Sequence, residues 1–369
     1  MFYFIFFLVL NKSLEKPDVY FTKNISSSLV TLFRKLNVNL KGNVSLKVHT
    51  GESGGLYFLR PDYLQEIYSN TNGTFIESNA AYNGSRNTTE RHKHLLIENG
   101  WSIQDRKTII IDEDSKYDFE IEDTKGNNKI IKKNIVGQHL KEFENCIVIT
   151  HFKGNNLAGF GGALKHLAIG FASQAGKAAI YTANKTRDWT QIMENLPKQE
   201  DFIKSMAEAA STIVQYFKDK KGKIVYINVM SNISLLCDCY GPLAPEPNIS
   251  DVGILASTDP VALDKACLDL LKKKNKTREN GVNELLEQIE KKSGEKLISI
   301  AKELGIGMDG YNFIDIDENK RTDLGLILFI CIIFFSVLIA GILAYCLGKK
   351  DKNSKEKNIK LVEKNDDEE

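Results

Sequence analysis

Apolar positions along this chain follow two periods. Between Asn24 and Leu36, Ile25, Leu29, Leu32 and Phe33 recur at helical spacing behind Ser and Thr residues, which predicts an early amphipathic helix. Val44 to Val48 then alternates as a strand does and runs into the polar, glycine-rich turn His49 to Gly55. A helix is expected from Pro61 through Ile67, a short strand at Phe75 to Glu77 and a helix from Asn87 to Asn99. Lys107 to Lys133 is charged and turn-rich between Ile109 to Ile111 and the pair Ile130 and Ile131, which suggests a peripheral β excursion.

Near-continuous apolar runs follow at Cys146 to Thr150, Lys223 to Met230 and Val252 to Ser257, the pattern of strands buried on both faces. They are separated by a glycine-rich loop leading into a helix (Gly154 to Gly170), an amphipathic helix (Phe202 to Phe217) and a helix start at Asp259 and Pro260, with Asp259 as N-cap. Glu284 to Leu304 reads as two further helices. Strands alternating with helices predict an α/β domain with a mostly parallel sheet flanked by helices.

The run from Leu324 to Gly348 has no charged residue and is apolar on every helical face. About 20 such residues cross a bilayer core, so one C-terminal transmembrane helix is expected, with the lipid bilayer as its partner. Lys349, Lys350, Lys352, Lys355 and Lys357 follow it, while Asp315, Asp317, Glu318 and Asp323 lie before it, which places the C-terminus in the cytosol. Met1 to Leu10 has the length of a signal-peptide apolar region. The expected organisation is a signal peptide over 1–15, an ectodomain over 16–317, a transmembrane helix over 324–348 and a disordered cytosolic tail over 349–369. The protein is then type I, with its domain in the secretory lumen or outside the cell.

Glycosylation sequons at Asn11, Asn24, Asn43, Asn72, Asn83, Asn87, Asn184, Asn232, Asn248 and Asn275 fit that sidedness, and none lies beyond the apolar run. A formal charge of +1 supplies no basic field for nucleic acid. Of six cysteines, Cys331 and Cys346 fall in the expected span; Cys146, Cys237, Cys239 and Cys267 remain for the ectodomain, as disulfides or as buried thiols.

Four features could carry chemistry. His49, His92 and His151 each fall near a strand end or in a polar loop, where imidazoles from separate segments suit a divalent metal ion; solvent-facing bystanders are the alternative. Cys237, Asp238 and Cys239 place two sulfurs one residue apart, able to chelate a soft metal, close a disulfide or serve as structural thiols. Gly159, Gly161 and Gly162 precede a helix, with Lys153 and Lys165 near in sequence, and offer backbone N–H groups to a small anion without being a P-loop. Glu77, Arg86 and His92 add a polar cluster in which Arg86 binds a carboxylate or pairs with Glu77, and Lys47, in the Val44 to Val48 strand, is expected to line the same site. No Ser-His-Asp order or paired-carboxylate pattern marks a hydrolase.

The segments Thr150 to Lys177 and Leu236 to Ala266, with Lys47 to His49, Leu59 to Pro61 and Glu77 to His92, resemble the domain-of-unknown-function 362 family, in order and over nearly the whole ectodomain. Many members of that family carry a ferredoxin-like cysteine insert, which would fall between Lys177 and Gln199. This chain has no cysteine there, so the resemblance implies no iron–sulfur cluster. Where relatives commonly read Gly-His this chain has Gly154 and Asn155, and where they read Lys-Asn it has Lys165 and His166. The resemblance implies a fold and candidate positions and no reaction. The expectation is a membrane-tethered, extracytosolic domain binding a metal ion or small anion at its strand ends; the alternative is a non-catalytic glycoprotein acting through partner binding.

Overall fold

The computed structural model describes residues 15–103, 106–276, 281–318, 332–341 and 345. The leader expected over 1–15 (apart from Glu15), the tail over 349–369 and most of the span expected over 324–348 lie outside the described residues. Among the described residues no helix is long and apolar enough to cross a membrane; of the expected span, 332–341 and 345 are described, and they are helical. The chain divides into two units, Met1–Asp315 and Ile316–Glu369. The first carries everything discussed below.

Its strands are β1 (Asp18–Thr22), β2 (Val44–Lys47), β3 (Thr74–Glu77), β4 (Thr108–Ile110), β5 (Phe119–Glu122), β6 (Lys133–Val136), β7 (Asn145–His151), β8 (Lys153–Asn155), β9 (Gly159–Gly161), β10 (Ile224–Met230), β11 (Gly253–Ser257) and β12 (Asn312–Asp315). Its α-helices are α1 (Leu29–Lys35), α2 (Gln65–Thr71), α3 (Thr89–Glu98), α4 (Ala163–Phe171), α5 (Gln174–Tyr181), α6 (Gln199–Asp219), α7 (Pro260–Asn275), α8 (Val282–Lys291) and α9 (Gly294–Glu303).

The main sheet has eight strands in the order β12-β1-β11-β10-β7-β2-β3-β4. Strands β10, β7, β2, β3 and β4 pair in parallel, and β11 alone runs against its neighbours. Residues of β7 and β11 are buried without interruption, as their apolar runs predict for strands covered on both faces, and β2 is buried throughout although its sequence alternates. Helix α4 packs against β7 and β10 and α7 against β10 and β11, α6 covers α4 from outside, and α1 lies against β1 and β11.

Chain direction through the sheet fixes where a site can form. From β2 the chain steps outward to β3 and β4, then returns to the other side of β2 as β7 and continues to β10. Strand order therefore reverses between β2 and β7, and beyond the carboxyl ends of such a pair an open α/β sheet leaves a crevice.

Several local expectations change with tertiary context. The segment before α4 is a β8–β9 hairpin, not an open loop, pairing Lys153 with Gly161 and Asn155 with Gly159. The excursion between Lys107 and Lys133 is split: β4 joins the main sheet at its edge, and β5 pairs with β6 in a separate ribbon. Its intervening loop is held by Glu208 of α6, whose buried carboxylate accepts the backbone N–H groups of Lys129, Ile130 and Ile131. Helix α5 went unseen in the pattern because its small residues (QAGKAAIY) carry no large apolar stripe. Asp259 caps α7 as expected, accepting from Val261 and Ala262.

Candidate functional site

A cavity of about 620 Å³ opens at the crevice beyond β2 and β7. Lys47 and His49 reach it from the end of β2, Glu77 from β3, Thr150 and His151 from β7, Lys153 from β8, Lys165 and His166 from α4, and Lys177 from α5. Arg86 and Tyr82 come from the loop between β3 and α3.

One buried ion network forms its floor. Lys47 is fully buried and its Nζ donates to Glu77 Oε1 at 2.6 Å. Glu77 Oε2 accepts from Arg86 Nη1 at 3.3 Å and from the Thr50 amide at 3.3 Å, and Oε1 also takes the Ser78 amide at 2.9 Å. Arg86 Nε donates to Glu52 Oε1 at 2.9 Å, and its Nη2 donates to Tyr82 Oη at 2.7 Å. Burial opposes the charge of Glu77, but Lys47 and Arg86 outweigh it and hold the carboxyl well below the usual carboxylate range. Such a pair adds little net stability against an apolar pair but is costly to break from one side.

Gly170 makes the approach of strand and helix possible. A methyl group there would sit 2.5 Å from His166 and 3.0 Å from Lys47, so only hydrogen fits where α4 passes over the end of β2. His166 Nε2 lies 3.1 Å from Lys47 Nζ, and its Nδ1 faces Thr150 Oγ1 at 3.0 Å. Burial and the Lys47 ammonium keep this imidazole neutral, its pKa well below the usual histidine value.

Helix α4 starts after its N-cap Gly162, and its first N–H groups are already taken. Asp264 of α7 accepts from Ala163 at 2.8 Å and from Leu164 at 2.9 Å, while Asn228 of β10 donates to the same carboxylate at 2.7 Å. Burial pushes the Asp264 carboxyl up to about 6. A Cβ at Gly162 would meet this carboxylate at 2.4 Å, which leaves no room for a side chain. The expected anion cradle on Gly159, Gly161 and Gly162 is thus corrected: a protein carboxylate occupies the helix terminus that was read as free. Gly161 and Gly162 line the cavity, but Gly159 packs against Ile289 of α8, away from it.

The histidines and cysteines proposed as metal ligands do not converge. His92 is fully buried off the cavity wall between Thr50 Oγ1 and Asn79 Oδ1, and burial depresses its pKa to about 3. His151 Nδ1 faces Asp238 at 3.0 Å and its Nε2 faces the Ser231 carbonyl at 2.7 Å, so neither nitrogen is presented to the cavity. His49 accepts the Gly51 amide on Nδ1, and its Nε2 lies 3.1 Å from Arg86 Nη2, a cation where a metal would have to be. Cys237 and Cys239 are joined in a disulfide and offer no thiolate. Among the described residues no group of three or more His, Cys, Asp or Glu side chains is placed to hold a metal ion.

What the cavity does collect is positive charge. Lys153 pairs with the buried Asp238, and Lys47 and Arg86 are paired as described. Lys177 donates to Ser78 Oγ at 2.6 Å and to the Asn79 carbonyl, and Lys165 has no hydrogen-bond or ion-pair partner among the described residues. Burial, with Lys153 second, pulls Lys165 down to about 8, and burial does the same to Lys177. At neutral pH both are mainly ammonium ions facing a cavity with too few carboxylates, and slightly above it either is able to accept a proton.

Sequence reasoning had named Lys47, His49, Glu77, Arg86, His151, Lys153, Lys165 and the Cys237–Cys239 pair, and all line the cavity, with Asp238 directly behind it. It missed Glu52, Tyr82, Thr150, His166 and Lys177. His166 and Lys177 lie within the run that resembles other proteins, but no spacing marked them. Glu52 was hidden in a turn read for its glycines.

Fold and site together define an α/β protein with a buried, cation-rich cavity at a strand-order reversal. The chain belongs to the family described as Domain of unknown function (DUF362), whose profile matches residues 44–269 and so spans every cavity residue named above. No curated protein matches it. Among solved structures it is similar to the lactate racemase apoprotein from Thermoanaerobacterium thermosaccharolyticum, at 14% identity and TM-score 0.36, over 58% of this chain and 51% of that one. A protein from Thermotoga maritima is similar at 14% identity and TM-score 0.38, over 76% of this chain and 59% of that one. This chain therefore spans between half and three fifths of their lengths, and at these scores the likeness carries no inference about activity.

Proposed function

We propose that this protein binds a small oxyanion, a carboxylate or phosphate, in the cavity beyond β2 and β7. Lys165 is its principal contact, and Lys177 and Arg86 contribute to the field. The observation that carries this reading is Lys165: a half-buried ammonium lining a cavity of about 620 Å³, with no hydrogen-bond or ion-pair partner among the described residues. A buried charge is costly unless paired, and a bound anion would supply the pair. The domain is proposed to sit outside the cytosol, tethered by the apolar run over 324–348; the sequons and the lysines after that run support this placement.

Calorimetric titration of the purified full-length chain with inorganic phosphate and with acetate tests the proposal. Saturable binding is expected, weakened at least tenfold in Lys165→Met, with the melting temperature of the unliganded variant unchanged or raised. Absence of saturable binding of either anion would refute the reading and favour the partner-binding alternative. Endoglycosidase sensitivity of the chain expressed in secretory cells tests its sidedness; a chain insensitive at every sequon would overturn it.

A further inference from the structure

The cavity is far larger than a bare oxyanion needs, and its walls are divided by chemistry. Pockets of about 300–1,000 Å³ enclose drug-sized ligands, and this one, at about 620 Å³, lies in that range. Its cations come from strand ends, from the loop after β3, and from α4 and α5. A second set of lining residues is apolar: Ala80, Ala81, Tyr181, Trp189, Ile192 and Met193. These belong to the loop after β3, the end of α5 and the two 3-10 turns that follow it.

This second set lies at the margin of the main core, which only Tyr181 of the six touches. Ala81 and Ile192 form a satellite cluster with Ala178, against which Tyr181 and Trp189 pack. The Tyr181 ring is held in place by stacking on Phe202 of α6, at 5.6 Å between centroids. Met193 is 77% exposed, a flexible thioether at the rim of an apolar wall, where it can adapt to what enters. No basic or acidic side chain lies in 189–193, which Asp188 and Glu194 flank. An apolar, ring-bearing wall facing a cation cluster across one cavity is the lining an amphipathic ligand would fill.

Resting on the oxyanion reading above, we propose that the ligand is an amphipathic anion: a carboxylate or phosphate head held by Lys165 and its neighbours, and an apolar tail laid against Tyr181, Trp189 and Met193. Burial of a tail of a few carbons strengthens binding by roughly fourfold per methylene, so a phenylpropyl body should gain at least tenfold over acetate.

The test is calorimetric titration of the full-length chain with acetate, 3-phenylpropionate, phenyl phosphate and the neutral 3-phenylpropanamide. Trp189 emission serves as a second readout; the only other tryptophan, Trp101, is fully buried with its indole N–H on the Thr50 carbonyl. The expected result is that 3-phenylpropionate binds at least tenfold more tightly than acetate, that the amide binds far more weakly, and that Trp189→Ala and Met193→Ser each reduce the gain while leaving acetate binding unchanged. The relative affinities of the carboxylate and the phosphate ester then assign the head. The proposal is overturned if the tail brings no gain, if the gain survives both substitutions, or if the amide binds as tightly as the acid. Should acetate and phosphate bind through Lys165 without a tail effect, the oxyanion reading stands and only this inference falls; should no anion bind, both fall.

Discussion

Replacement of Glu77 by Gln probes the physical basis of the site most directly. The carboxylate accepts from Lys47, Arg86 and two backbone amides. Glutamine keeps the shape but turns an NH2 group toward donors and removes the only carboxylate within ion-pair reach of Lys47 among the described residues. Arg86 retains Glu52, so the loss falls on Lys47, which keeps only the Val48 carbonyl and the neutral His166 ring. Breaking a buried pair from one side costs about 3–5 kcal/mol. For a domain of this size each kcal/mol is worth roughly 1.5–2 °C, so a fall of roughly 5–10 °C in melting temperature is expected. Lys47→Met in the Glu77→Gln background should recover most of that loss, because the stranded charge is gone.

The pH dependence of this variant carries a second signature. Glu77 has a folded pKa below its unfolded value, so its contribution is present above about pH 4.5 and is lost as pH falls below it. The acid limb of the stability curve should therefore be flatter in Glu77→Gln than in the parent. Lys47 is depressed by burial, so without Glu77 it sheds its proton more readily and the variant should regain stability between neutral pH and about pH 10. Thermal melts followed by circular dichroism over this pH range check both. A fall of less than about 2 °C, or identical acid limbs, would refute the assignment of Glu77 as the counter-charge of a buried lysine.

Oxyanion affinity should fall above about pH 8, by roughly tenfold per pH unit for each of Lys165 and Lys177 that must stay protonated, and a flat titration profile would sink that role. The same two lysines have folded pKa values below their unfolded ones, so the unliganded protein should become more stable as pH rises from about 8 toward about 10.5. Asp238→Asn removes the carboxylate paired with Lys153 and should tighten phosphate binding severalfold while lowering the melting temperature; weaker binding in titration would argue against an electrostatic site. Asp264→Asn leaves a buried amide facing the Leu164 N–H and should cost about 1–3 kcal/mol in urea unfolding at neutral pH. Because its folded carboxyl is raised to about 6, the parent should lose stability as pH climbs from about 4 to about 6, and the variant should not.

Much of the scaffold was legible because the signals are local. Unbroken apolar runs marked β7, β10 and β11 as strands covered on both faces, and Asp259 before Pro260 marked the start of α7. Strands β1 and β12 were not legible: each is short, and only pairing at the sheet margin, β12 at the edge and β1 next to it, makes it a strand. Helix α5 was missed for want of bulk, although Ser173 caps it by accepting from the Gly176 amide.

The site divides along the same line. Sequence alone determined which ionisable residues stand at strand ends, since a polar residue after an apolar run is visible one segment at a time. It also determined that the chain has no cysteine run for a cluster between Lys177 and Gln199. Pairing was decided only in three dimensions. Asp264, about a hundred residues after Ala163 in the chain, fills the helix terminus that the glycines advertised as open, and the disulfide closes the sulfurs that spacing alone left free for metal. Strand order, which places the end of β2 beside that of β7, gathers Lys47, Arg86, Lys153, Lys165 and Lys177 around one cavity. Charge balance in a cavity depends on which distant residues become neighbours, and that adjacency is set by sheet topology, not by any period along the chain.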